Sequence, residues 1–170
     1  MTENRKYGGD AIQAIRTASQ AHHHLSAMAD RKASMLMGAS FVVFTIIVSQ
    51  ATARGHLPLA MSVLGISAFL ASICSAVAVM PSILGGQNYK GQRNLMFFGG
   101  FADMAEDEYV AEMMDRLSDQ QKFLEMVARD VYQNGQVLAR KKYRLLTVAY
   151  SIFIIGLIAS VIAFAATGAK

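Results

Sequence analysis

Charge is missing from most of this chain's length. Its 170 residues hold 16 Lys and Arg against 12 Asp and Glu, a net charge of +4. Eight of these lie in residues 1–32 and eighteen in residues 90–144, which leaves only Arg54 and Lys170 for the rest. Residues 33–53, 55–89 and 145–169 therefore carry no charge at all. A soluble domain of this size has too much surface for its volume to hide three such stretches. The basic residues sit in blocks beside apolar runs rather than along one soluble face, which argues against a nucleic-acid partner. Cysteine is also scarce. Cys74 stands alone inside the second run, so no intrachain disulfide is possible, and the thiol reads as a small apolar packing residue. No Walker A, GxSxG, HExxH or CxxC motif occurs. No enzyme, catalytic residue or cofactor is expected.

What is present is an integral membrane protein. A span needs roughly 20 mostly apolar residues to cross about 30 Å of hydrocarbon. Residues 34–50 with their neighbours, 59–80 and 145–166 each qualify, and each must be helical to satisfy its backbone in lipid. The expected fold is all-α, with three transmembrane helices, two of them extended by long cytoplasmic helical segments. The expected divisions are a cytoplasmic amino-terminal helix (1–32), two spans (33–80), a cytoplasmic helical region (81–144) and a third span with a short external tail (145–170). Fourteen basic residues fall on one side of these spans and two, Arg54 and Lys170, on the other. The excess predicts a cytoplasmic amino terminus and an external carboxyl terminus. The first span starts too far from a basic leader to read as a cleavable signal peptide.

Three capping boxes start the predicted cytoplasmic helices: Asp10-x-x-Gln13, Asp103-x-x-Glu106 and Ser118-x-x-Gln121. From the first, nothing breaks the helix before Gln50, so it runs some 40 residues. A glycine-bearing loop over residues 81–100 holds Gly85, Gly86, Gly91, Gly99 and Gly100. An apolar stripe follows at Tyr109, Val110, Met113, Met114 and Leu117. The third helix carries Phe123, Leu124, Val127, Val131 and Leu138 and reads straight through the cluster Arg140, Lys141, Lys142 and Arg144 into the last span.

Several side chains are candidates for function. Arg93, Asn94, Phe97 and Phe98 offer a phosphate partner, an amide and two stacking rings, with glycines on both sides; Lys32 and Lys142 add positive charge. Asp30 lies at the membrane boundary. Its neighbours at one and two positions point elsewhere, so its partner belongs to another element, such as the Arg140–Arg144 cluster. Small residues at helical spacing, Ser34 with Gly38, Ala71 within the second span, and Gly156 with Ser160, permit close helix packing within or between subunits and suggest a homo-oligomer. His22-His23-His24 points three ways around a helix and lacks further ligands, so it reads as helix surface rather than a metal site. The absence of charged residues inside the spans disfavours a charge-relay transporter.

The order of these motifs resembles the small membrane-spanning effectors of Pycsar antiphage systems. The resemblance rests on Ala29-Asp30-Arg31-Lys32-Ala33-Ser34 before the first span and Asn94-Leu95-Met96-Phe97-Phe98-Gly99 after the second. It continues in Ala128-Arg129-Asp130-Val131-Tyr132 and Leu138-Ala139-Arg140-Lys141-Lys142-Tyr143 before the third. It implies a paired pyrimidine cyclase, a cyclic pyrimidine mononucleotide (cCMP or cUMP) as the activating signal, and inner-membrane damage with growth arrest as the output. Two other readings fit the residues themselves: a constitutive membrane-anchored interaction module, or a small channel or transporter subunit with no nucleotide ligand.

Overall fold

The computed structural model describes residues 8–80 and 93–168, and within them every regular element is helical. Helix α1 covers Gly9–Arg54, 46 residues, about 70 Å at 1.5 Å per residue. It begins one residue ahead of Asp10, which therefore occupies the first turn. There the carboxylate meets the positive end of the helix dipole, but it is not the N-cap that a capping box needs. The helix stops at Gly55, whose φ of 69° is left-handed and whose N–H donates to the Ala51 carbonyl over 3.0 Å. Glycine adopts that conformation without a Cβ penalty. Helix α2 covers Leu59–Val79 with Pro58 as its N-cap. Met80 is already extended, at φ −55° and ψ 130°, as a residue ahead of Pro81 is biased to be.

Three helices follow: α3 (Phe98–Phe101), α4 (Glu106–Leu117) and α5 (Gln120–Val137). A π-helical turn, Leu138–Tyr143, leads into α6 (Arg144–Gly168). The helical run through the basic cluster is thus unbroken over Gln120–Thr167, with one wider turn inside it. Neither of the two later capping boxes forms. Helix α4 starts behind an extended Ala105 with no side-chain cap, so Asp103 lies outside it. Ser118 keeps helical angles at the end of α4, which moves the extended N-cap position to Asp119. The Asp119 carboxylate accepts from the backbone N–H groups of Gln121 and Lys122 at 2.7 and 3.2 Å.

The chain forms two compact units. The apolar unit comprises residues 26–80 and 139–170. In it α2 and α6 run antiparallel: Ser160 donates to the Ala60 carbonyl at 2.9 Å, and Lys141 donates to the Met80 carbonyl at 3.0 Å. Between these bonds Gly156 lies against Ser67 so closely that a Cβ there would collide with the serine side chain. Part of α1 joins them. Ala29 and Ala33 cluster with Ala78 and Leu146, Ile47 meets Gly65, and Phe44 stacks at 5.2 Å on Phe69. The interior is built of small side chains while large ones face out: Phe41, Ile155 and Phe164 are 61%, 66% and 71% exposed.

The small residues singled out in the sequence differ in where they lie. Ala71 and Gly156 are buried between helices of one chain, and Ser160 bonds within it. Gly156 and Ser160 thus hold α6 against α2 within the chain. Ser34 and Gly38 face outward, and nothing lies within 4 Å of where a Gly38 Cβ would stand.

The charged unit comprises residues 1–25 and 81–138, of which 81–92, including Gly85, Gly86 and Gly91, lie outside the described residues. Helix α4 packs on α5 with Tyr109 and Met113 half-buried, while Val110, Met114 and Leu117 remain exposed. His22 of α1 uses Nδ1 to donate to the Val131 carbonyl at 3.1 Å. Gly135 allows that approach, since a Cβ there would come to 3.1 Å from the imidazole.

Candidate functional site

The centre of the charged unit is Asn94, which is buried. Its side-chain N–H groups donate to Asp130 Oδ1 at 3.0 Å and Gln133 Oε1 at 2.8 Å, and its Oδ1 accepts from Met96 N–H at 2.9 Å. Asn134 donates to the other Asp130 oxygen at 3.0 Å. Asp130 is itself only 7% exposed, so a buried carboxylate is held by two neutral amides. An unpaired buried charge is costly, and these bonds make the turn at Asn94 and helix α5 interdependent. Gly100 completes the turn, because a Cβ on it would strike the Asn94 backbone. Both N–H donors of the Asn94 amide are therefore used inside the fold. Asn94 shapes the site and has no donor left for a ligand.

Around this network the structure gathers arginines from three separate elements. Arg93, Arg116 and Arg129 line a small cleft with Asn94 and Gln133, over an apolar floor of Leu95 and Met126. Each guanidinium also touches a glutamate. Arg93 meets Glu108 at 3.2 Å, Arg116 meets Glu112 at 3.2 Å, and Arg129 pairs with Glu125 one helical turn away. Sequence reasoning missed Arg116 and Arg129, since on an amphipathic helix an i, i+4 Glu–Arg pair looks like solvated surface. Only the fold brings them to Arg93.

The remaining candidates are dispersed. Phe97 and Phe98 stack on each other with centroids 4.6 Å apart, and Phe98 is 57% exposed. Lys32 and Lys142 belong to the other unit. Lys32 is exposed. Lys142 is fully used: Nζ donates to both Asp30 oxygens at 2.7 and 2.8 Å and to Ser26 Oγ at 2.7 Å. Its three ammonium hydrogens have three acceptors, so it offers no free charge to a ligand. This contact joins α1 to the π-helical turn, a geometry that recurs at functional positions in helices. Among the described residues no group of His, Cys, Asp or Glu is arranged to hold a metal ion. His23 and His24 are exposed while His22 is bonded to α5.

Comparison with known proteins adds one finding. A family model described as the Pycsar effector protein domain matches residues 13–167. This is nearly the whole chain, and the chain belongs to that family. No curated protein and no solved structure matches it.

Proposed function

We propose that this member of the Pycsar effector family is an inner-membrane protein that responds to a cyclic pyrimidine mononucleotide, cCMP or cUMP, by impairing the membrane and arresting growth of a phage-infected cell. The family supplies the antiphage, cyclic-nucleotide-linked context. The observation that carries the membrane part is the inverted apolar unit. Three helices are long and apolar enough to cross a bilayer, and they bury alanine and serine while exposing phenylalanine and isoleucine. In water such a surface would drive aggregation, whereas in hydrocarbon it is the surface that lipid covers.

In this reading helices α1, α2 and α6 span the membrane, with the amino terminus and the charged unit in the cytoplasm and the carboxyl terminus outside. A partner pyrimidine cyclase makes the signal, and the charged unit receives it through Arg93 with Phe97 and Phe98. The protein assembles as a homo-oligomer in the bilayer. Co-expression with a pyrimidine cyclase tests the function, with membrane potential followed by a voltage-sensitive dye. Depolarisation and growth arrest are expected only when the cyclase is active. Depolarisation without it would favour a constitutive channel, and none in either case would favour an anchor.

A further inference from the structure

We infer that the cleft between Arg93, Arg116 and Arg129 is a phosphodiester site, and that it receives the phosphate of the cyclic nucleotide. This rests on the reading just given. The three arginines come from the turn before α3, the end of α4 and the middle of α5. Side chains from elements this far apart in sequence converge only in the folded unit. A guanidinium carries five N–H donors in a fixed fork that suits phosphate oxygens. Arg93 and Arg116 each give one donor to a glutamate and Arg129 gives two to one oxygen. Most of the donors around the cleft are therefore unused.

The glutamates do not block the site. The glutamate side chains are 34–58% exposed and their arginine partners 29–48%, and solvent-exposed ion pairs are worth about 0–1 kcal/mol each. An anion that engages the free donors has little to displace. Gln133 adds a neutral donor, since its Oε1 accepts from Asn94 and its amide N–H groups are left over. The cleft, about 20 Å³, has room for about one water-sized sphere. It fits one phosphate oxygen, with the second oxygen, ribose and base at the open mouth. The buried Asn94–Asp130 network holds the floor in place, so the arginines are arranged before a ligand arrives.

A lipid headgroup carries the same phosphodiester chemistry, and the test separates the two sources. The full-length protein in nanodiscs is titrated calorimetrically with cCMP and with cUMP. Wild type is expected to bind at least one of them. Arg116→Gln and Arg129→Gln should each weaken binding about 10- to 100-fold, the loss of one charge-assisted bond. Lys122→Gln, whose lysine pairs with Asp115 away from the cleft, should change nothing. Circular dichroism and melting of each variant establish that the helices persist. Arg129→Lys should recover part of the affinity if charge is what matters. If wild type binds neither nucleotide, the functional reading falls and the site with it. If wild type binds but both Gln variants stay within twofold, the function stands and this site is wrong. Arginine-dependent binding of short-chain phosphatidylglycerol, with no binding of either nucleotide, would reassign the cleft to lipid and overturn the proposal.

Discussion

Removing the charge of Asp30 should loosen the apolar unit measurably. Lys142 Nζ lies 2.7 and 2.8 Å from the two carboxylate oxygens and 2.7 Å from Ser26 Oγ. The side chains are 20% and 36% exposed. Fully exposed pairs contribute about 0–1 kcal/mol, whereas deleting one partner of a buried pair costs about 3–5 kcal/mol because the other charge is stranded. A pair covered to this degree falls between, so Asp30→Asn should cost about 2 kcal/mol. For a chain of this length that corresponds to a fall in melting temperature of roughly 4–8 °C. The assay is thermal unfolding in one fixed detergent, run as a double-mutant cycle with Lys142→Met. The double variant should regain part of the loss, because no unpaired charge remains, and the coupling should be about 1–2 kcal/mol. A single-variant change below about 0.5 kcal/mol with coupling near zero would refute the reasoning, since the contact would then be an ordinary surface pair.

Gly156→Ala should separate α2 from α6, because the added methyl meets the Ser67 side chain; overpacking typically costs about 1–3 kcal/mol, and the double variant Gly156→Ala/Ser67→Gly should restore the melting temperature of the detergent-solubilised protein. A reporter enzyme fused after Lys170 should act as external and one inserted near Gln87 as cytoplasmic; the reverse result for either fusion would remove the three-span topology.

The helices were largely legible in the sequence because apolar run length and the lack of breakers decide them locally. Pro81 and Gly55 mark the ends of α2 and α1 for reasons confined to one or two residues. The capping residues were less legible. Ser118 and Asp119 are both competent N-caps, and the choice between them depends on where α4 stops. Tertiary pairing was harder still. The spacing around Asp30 required a partner away from its own helix, but several bases of the Arg140–Arg144 cluster were equally suited, and only the π-helical turn selects Lys142. Arg116 and Arg129 could not be assigned at all, because a local glutamate accounts for each of them equally well. The bonding of Asn94 was hidden for the opposite reason: an amide among glycines looks available until its three bonds are known.

The segments that carry the family resemblance prove to be the ones that hold each other. Asn94, in the segment after α2, donates to Asp130, in the segment within α5. Asp30, in the segment before the first apolar run, binds Lys142, in the segment before the last. Each pair lies within one unit and joins positions 36 and 112 residues apart. Apolar runs tolerate many substitutions of similar volume, so they constrain identity weakly. A buried carboxylate that needs two amides, or an ammonium that needs three oxygens, constrains it strongly, because losing one partner strands the others. These polar residues therefore reveal how the units are fastened more directly than where a ligand binds. A ligand site needs donors left over after folding, and among the described residues of the charged unit the arginines around the Asn94 network keep such donors while Asn94 itself does not.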